Sequence, residues 1–123
     1  MIEKIKETVE TIDAIIRKEN WFDLHVAEYD GYNLSIVGGI DLSWFHTLEV
    51  IFEDVFFFSG FINGWHSDTS SNVFVMPENI RELNMRFEIQ EGYHLFAFIP
   101  EDYTSNVFIA AKNISFNATK VHY

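Results

Sequence analysis

The sequence predicts an α+β fold, with one N-terminal amphipathic helix packed on a mostly antiparallel meander sheet of six to eight strands. Apolar residues recur at three- and four-residue steps in residues 2–18, which is the period of an amphipathic helix. Residues 21–116 instead alternate between apolar and polar side chains in short runs separated by turn signals, as half-buried strands do. A chain of 123 residues has the usual size of one domain, so we expect residues 1–123 to fold as a single unit.

The helix is predicted over residues 2–18. Asp13 and Arg17 lie outside its apolar stripe and are four residues apart, in the order that favours an ion pair. A helix of this length is marginal by itself in water, so we expect it to bury its stripe on the sheet. The stripe consists of Ile2, Ile5, Val9, Ile12 and Ile16.

The first hairpin is predicted around Asp30-Gly31, a two-residue turn signal between the strand-like residues 21–29 and 32–37. A two-residue turn there pairs residues whose numbers sum to 61. In that register His25 faces Ile36. Neither face of this hairpin is wholly polar, so we expect both faces to be at least partly covered.

A second hairpin is predicted around Glu91-Gly92. Residues 83–90 alternate apolar and polar side chains, and residues 93–99 supply the returning strand. The two-residue turn then places Phe87 opposite Phe96, which is an aromatic pair on the core side.

The remaining strands are predicted at residues 46–52, 55–58, 72–76 and 106–116. Glu53-Asp54 interrupts the alternation between the first two of these segments. A β-bulge and a tight turn explain the interruption equally well, and the sequence leaves both open.

The span from Glu19 to Ile80 contains no lysine and no arginine. These 62 residues hold ten carboxylates and 13 of the chain's 21 aromatic residues, and the net charge of the chain is −11. Nucleic acid and anionic membranes are poor partners for such a surface, because phosphate contacts require clustered cations. A cationic protein is the partner that the charge favours, although acidity also keeps a ring-rich domain soluble.

We expect a cytoplasmic protein. The chain has no cysteine, which excludes disulfides and thiolate metal sites and fits a reducing compartment. The charged start Met1-Ile2-Glu3-Lys4 does not resemble a signal peptide, and the apolar runs are far shorter than the ~20 residues of a membrane span. The sequence leaves the oligomeric state open, and a homo-oligomer is compatible with it.

Catalytic residues are not evident, and no cofactor is expected. The chain has no serine in a nucleophile elbow and no phosphate-binding glycine loop. Glu49 and Glu53 share a face of one predicted strand, but four residues of regular strand separate them by ~13 Å, which is too far for a glycosidase pair. The sequence does not decide whether the chain is an enzyme and favours a non-enzyme.

A metal site is one alternative. Asp23-x-His25 and His66-x-Asp68 each place two ligand types on one side of an extended segment, because side chains repeat every second residue. If the two segments met, they would form a site with two histidines and two carboxylates, which suits Zn²⁺ or Fe²⁺. The ordinary alternative is that His25 is a half-buried, hydrogen-bonded histidine of the sheet.

Aromatic residues in two long loops suggest a binding surface. Trp44 and Phe45 lie in residues 38–45, and Trp65 lies in residues 59–71. Rings amid acidic residues suit a protein interface that anchors on aromatics and attracts its partner by charge. The same rings could stack on sugars in a ligand cleft or cap the two ends of the core. The candidate binding residues are Trp44, Phe45, Trp65, Glu49, Glu53 and Asp54.

Two segments resemble a known class of proteins. Residues 21–37 read W-F-D-L-H-V-A-E-Y-D-G-Y-N-L-S-I-V, and residues 48–56 read L-E-V-I-F-E-D-V-F. This layout resembles small bacterial immunity proteins of polymorphic toxin systems and similar families. The resemblance implies a non-enzymatic protein that neutralises a toxin by binding it. The leading hypothesis is therefore a protein-binding domain that docks a cationic partner, with a metal protein or enzyme and a ligand-binding module as alternatives.

Overall fold

The computed structural model describes residues 2–123 and confirms the α+β fold. Helix α1 spans Ile2–Arg17 and a short helix α2 spans Ile80–Arg86. The strands are β1 (Phe22–Tyr29), β2 (Leu34–Gly39), β3 (Phe45–His46), β4 (Leu48–Ser59), β5 (Trp65–Ser67), β6 (Phe74–Val75), β7 (His94–Phe98), β8 (Val107–Asn117) and β9 (Val121–His122).

Seven strands form one antiparallel sheet in the order β5-β1-β2-β4-β8-β7-β6. The sheet consists of two parts, each built from strands that are close in sequence. Strands β5, β1, β2 and β4 form one part, and β8, β7 and β6 form the other. The long strands β4 and β8 pair with each other and join the two parts. Strands β3 and β9 form a separate two-stranded ribbon.

Helix α1 packs on β6 and β8 and buries most of its predicted stripe. Its residues Ile5, Val9, Ile12 and Ile16 belong to the main core, together with a cluster of phenylalanines from the sheet. Rings from both parts of the sheet meet there, so the core spans their junction. The cluster comprises Phe52, Phe74, Phe96 and Phe98, with ring centroids 4.3 to 6.3 Å apart.

The first hairpin is present, but its predicted register is wrong. Tyr29 pairs with Leu34 and His25 pairs with Val37, not with Ile36. The turn is longer than two residues because the Asp30 carboxylate accepts hydrogen bonds from the backbone N–H groups of Tyr32 and Asn33, at 2.9 and 2.7 Å. Such a side-chain bond to the backbone two or three residues on stabilises a wider turn. A β-bulge after Val26 shifts the pairing once more.

The second predicted hairpin is wrong. Residues 80–86 form α2, and Leu83 packs against Leu95 and Ala110 in a second, smaller core. Phe87 does not face Phe96, since its ring stacks on Phe57 with centroids 4.8 Å apart. Leu83 and Phe87 are four residues apart, so the segment predicted as a strand also matches the spacing of apolar residues in a helix.

The interruption at Glu53-Asp54 is a bend within one continuous strand. Asp54 has a φ of +56°, and the pairing with β8 shifts register between Val55 and Phe57. Phe52 and Val55 consequently both pack on the main core, although they are three residues apart. Of the two explanations that the sequence left open, the bulge is therefore the correct one.

Candidate functional site: the base-free half of the sheet

The span without lysine or arginine folds into adjacent strands. Strands β5, β1, β2 and β4 all lie within residues 22–67, and they are neighbours in the sheet. Strands that are close in sequence usually lie side by side in antiparallel sheets, so the span without lysine or arginine forms one region of the sheet. We call these four strands the base-free half of the sheet.

The cations of the chain lie elsewhere. Lysine and arginine occur on or directly after α1, on α2, on β8 and in the segment that follows β8. Lys112 reaches across from β8 and lies 3.4 Å from the Asp54 carboxylate. Among residues 2–123, Asp54 is the only one of the span's ten carboxylates in an ion pair with a lysine or arginine.

On the outer face of the base-free half, away from α1, two polar residues flank the buried Val37 in one row. Leu24 is buried in the main core, so its neighbours Asp23 and His25 point to the other face. His25 pairs with Val37, Val37 with Glu49, and Glu49 with Asn117. Directly paired residues share a face, so His25 and Glu49 belong to one row across three strands.

Glu49 is held in a fixed position on this face. The Ser35 hydroxyl donates to Glu49 Oε2 at 2.6 Å, and the Asn117 amide donates to Glu49 Oε1 at 3.3 Å. Both donors are neutral, and among the described residues no lysine or arginine forms an ion pair with this carboxylate. The position of this carboxylate is therefore set by two hydrogen bonds within the sheet.

At the edge of the sheet, β5 pairs with β1 and brings His66 beside Asp23. His66 Nδ1 lies 2.5 Å from Asp23 Oδ1, and Nε2 lies 3.6 Å from Glu101 Oε2. The hydrogen bond to Asp23 raises the pKa of His66 above its usual value of 6.5, and the charges of Asp23, Glu101 and Asp102 act in the same direction.

The backbone of β5 is tied to the same acidic segment. The His66 N–H donates to Asp102 Oδ1 at 3.1 Å, and the Glu101 N–H donates to the His66 carbonyl at 2.7 Å. An open cleft of about 420 Å³ lies beside the ring, with Asn63 and Tyr103 among its lining residues. A general base needs a free ring nitrogen facing its substrate. Both nitrogens of His66 face carboxylates, so the arrangement suits an imidazolium that links β5 to its neighbours.

The four candidate metal ligands are only partly brought together. Asp23 and His66 meet, as the spacing of the two segments allowed. His25 instead places Nδ1 3.1 Å from the Val26 carbonyl, and the Asp68 carboxylate accepts hydrogen bonds from Ser70. In the part of the chain that the structure describes, no group of three or more histidine and carboxylate side chains could hold a metal ion.

The candidate aromatic residues are in three different environments. Trp44 is 70% exposed on the loop before β3. Phe45 is half-buried, with its ring 5.7 Å from that of His122 and 4.3 Å from Lys120 Nζ. Trp65 is only 3% exposed and packs on Phe98, so Trp65 is a core residue and does not form a stacking surface with Trp44.

The candidate acids differ as well. Glu53 is half-buried and pairs with Asn113, while Asp54 is neutralised by Lys112. Sequence reasoning missed Glu101 and Asp102, because they lie 35 and 36 residues beyond His66 and only the fold brings them to it. An acidic pair after Pro100 is the sole local signal, and it is too common to indicate a site.

No family model, curated protein or solved structure matches the chain. The two helices, as described within residues 2–123, lack the length and apolar character that crossing a membrane would require.

Proposed function

We propose that this chain is a non-catalytic protein that binds a cationic protein partner through the base-free half of its sheet. The observation that supports the proposal is the contiguity of β5, β1, β2 and β4, which places residues from a span without lysine or arginine on neighbouring strands. The resemblance to immunity proteins suggests a toxin domain as that partner. The absence of cysteine favours the cytoplasm as the place of binding.

Charge of this kind accelerates association and selects partners. Carboxylates without neighbouring cations create a negative potential that attracts a positive surface and repels a negative one. Glu28 and Glu53 make no side-chain hydrogen bond or ion pair among the described residues, and Glu49 is bonded only to neutral groups. These three carboxylates are therefore available to a partner.

The Asp23–His66 pair supports a second candidate function, which is acid–base chemistry in the cleft beside β5. A carboxylate that orients a histidine is a frequent element of catalytic sites. However, Glu101 faces the second nitrogen of His66, and the raised pKa favours the protonated ring, which has no free nitrogen to accept a proton. The geometry therefore supports binding better than catalysis.

A charge-reversal experiment tests the proposal. The variant Glu28→Lys, Glu49→Lys, Glu53→Lys changes the base-free half, and Glu3→Lys, Glu7→Lys, Glu10→Lys on α1 is the matched control. A protein captured from cell lysate with the wild-type chain is purified and titrated against all three chains at several salt concentrations. Circular dichroism verifies that each variant is folded.

We expect wild-type affinity to fall as salt rises to physiological strength, where the Debye length is about 8 Å. The variant in the base-free half should bind at least about tenfold more weakly, while the α1 control should stay within about twofold. Binding that ignores salt, or that is equally weakened by both variants, would refute the proposal.

A further inference from the structure

A polar cavity lies where the end of β4, the end of α2 and the segment before β8 meet. Its volume is about 300 Å³, at the lower end of the range for small-molecule sites. Phe87 and Phe108 supply its apolar lining, with ring centroids 5.1 Å apart. The rest of the lining consists of side chains that can donate hydrogen bonds, namely Ser59, Arg86, Thr104, Ser105 and Asn106.

These donors are not used within the protein. Among residues 2–123, neither Arg86 nor any of the four neutral polar residues makes a side-chain hydrogen bond or an ion pair. The guanidinium carbon of Arg86 lies 5.3 Å from the centroid of the Phe87 ring, which is a cation–π contact. That contact keeps the guanidinium group beside the cavity and leaves its N–H groups available to a ligand.

The charge of the lining distinguishes this cavity from two others that contain a cation. Lys6 lines two cavities beside α1, and both are also lined by carboxylates, from Glu10 and Asp13 in one and from Glu78 in the other. In the part of the chain that the structure describes, no carboxylate lines the cavity at Arg86. The net charge of −11 repels anions, but exposed charges farther away than about 8 Å are largely screened at physiological ionic strength. Contacts inside the cavity therefore decide which ligand it binds.

We propose that this cavity binds a small molecule that carries a phosphate monoester. The planar guanidinium group of Arg86 matches two oxygens of a phosphate group. Hydroxyl groups from β4 and from residues 104–105 face the same space, so donors from three elements of the fold surround one centre. A phosphate monoester has three strong acceptor oxygens around its phosphorus, whereas a carboxylate has only two oxygens in one plane.

The size and the rings of the cavity favour a small ester over other sources of phosphate. Phe87 and Phe108 provide an apolar surface for the organic part of the ligand. One guanidinium group is enough for a single phosphate group, whereas nucleic acid requires a row of cations. The inference does not depend on the proposed function, because Arg86 lies on α2 and outside the base-free half.

A titration with phenyl phosphate tests the proposal. Backbone amide NMR spectra of isotope-labelled protein give the affinity, show which residues respond, and verify that each variant is folded. The measurements are made at about pH 7, where a phosphate monoester carries a charge of about −1.5 to −2. Arg86→Gln removes the guanidinium group, and Arg81→Gln on the same helix is its matched control. Both arginines are exposed, and both variants make the net charge more negative by one.

We expect the wild type to bind phenyl phosphate with a Kd of about 1 mM or tighter, and the signals of residues 104–106 should shift. Arg86→Gln should weaken binding at least about tenfold, while Arg81→Gln should stay within about twofold. Thr104→Val replaces one hydroxyl group with a methyl group and should weaken binding about threefold or more. If Arg86→Gln does not fold, unchanged binding by Thr104→Val would overturn the inference.

Two further ligands identify the chemistry that is recognised. Benzoate has the same ring with a carboxylate, and inorganic phosphate lacks the ring; each should bind the wild type at least about threefold more weakly than phenyl phosphate. Equal affinity for benzoate would refute the assignment to phosphate, and equal affinity for inorganic phosphate would refute the assignment to an ester. No saturable shift up to about 10 mM phenyl phosphate, or equal weakening by the two arginine variants, would overturn the site itself.

Discussion

Replacing Asp13 with alanine should destabilise the fold more than any other alanine substitution on α1 outside the apolar stripe. Asp13 is 7% exposed although it lies beside the stripe and not within it. Asp13 Oδ1 accepts hydrogen bonds from the backbone N–H groups of Val73 and Phe74, at 2.8 and 3.0 Å, and Oδ2 accepts one from the Asn72 amide at 2.9 Å. One carboxylate thus joins α1 to the segment that enters β6.

The expected cost follows from the groups that would be left without partners. Val73 and Phe74 are both buried, so their N–H groups would lose hydrogen bonds where water has little access. An unsatisfied buried donor costs about 1–3 kcal/mol, so the two together should cost about 2–6 kcal/mol. Typical domains have a total stability of about 5–15 kcal/mol, and the variant would lose a large share of it. The ion pair with Arg17 is longer, at 3.7 Å, and adds little.

Urea unfolding followed by circular dichroism gives the free energy of unfolding for each variant. Asp13→Asn keeps an oxygen acceptor for the two backbone groups, so it should cost less than Asp13→Ala. Glu10→Ala changes an exposed carboxylate of the same helix and should stay within about 0.5 kcal/mol of the wild type. A loss below about 1 kcal/mol for Asp13→Ala would refute the reasoning, because the two N–H groups would then have found other partners.

Two further predictions concern the edge of the sheet. Gly64→Ala should cost more free energy of unfolding than Gly31→Ala, by about 1 kcal/mol or more, in the same urea assay. Both glycines have positive φ, but a Cβ at Gly64 would lie 2.6 Å from the Leu24 carbonyl oxygen, while Gly31 has free space; equal losses would contradict this. The Asp23–His66 pair should add stability that is fully present below about pH 6.5 and is lost as pH rises through the raised pKa of His66. Because His66 is 40% exposed, the stability difference between wild type and His66→Gln should shrink by no more than about 1 kcal/mol between about pH 6 and pH 9, and a difference that grows with pH would oppose the assignment.

The helix and the class of the sheet could be predicted because they depend on periodicity. The stripe that includes Val9 and Ile16 repeats with the period of a helix, and the strands alternate every second residue. The register of the first hairpin depends on the length of its turn, which the periodicity of the strands does not indicate. The Asp30 side chain binds two backbone N–H groups and widens the turn, so each pairing moves. At residues 80–86 the sequence matches both strand alternation and helical spacing, and the helix forms because it packs Leu83 against Leu95 and Ala110.

The candidate site was predictable only in part, for the same reason. Spacing indicated that Asp23 and His66 would share a surface if their segments met, and the pairing of β5 with β1 brings them together. Glu101 and Asp102 reach His66 through a loop that has no sequence pattern linking it to β5. The burial of Trp65 could not be predicted either, because its strand β5 is only three residues long and too short to show alternation.

Moving the charge changes to different parts of the chain separates a docking role of the acidic residues from a role in solubility alone. Solubility depends on net charge, and both triple lysine variants change it from −11 to −5. They differ in where the change falls, since one alters adjacent strands without cations and the other alters a helix that already holds Lys4, Lys6 and Arg17. If the acids serve solubility alone, the two variants should behave alike in every binding measurement. A difference between them therefore measures what the contiguity of the base-free half contributes.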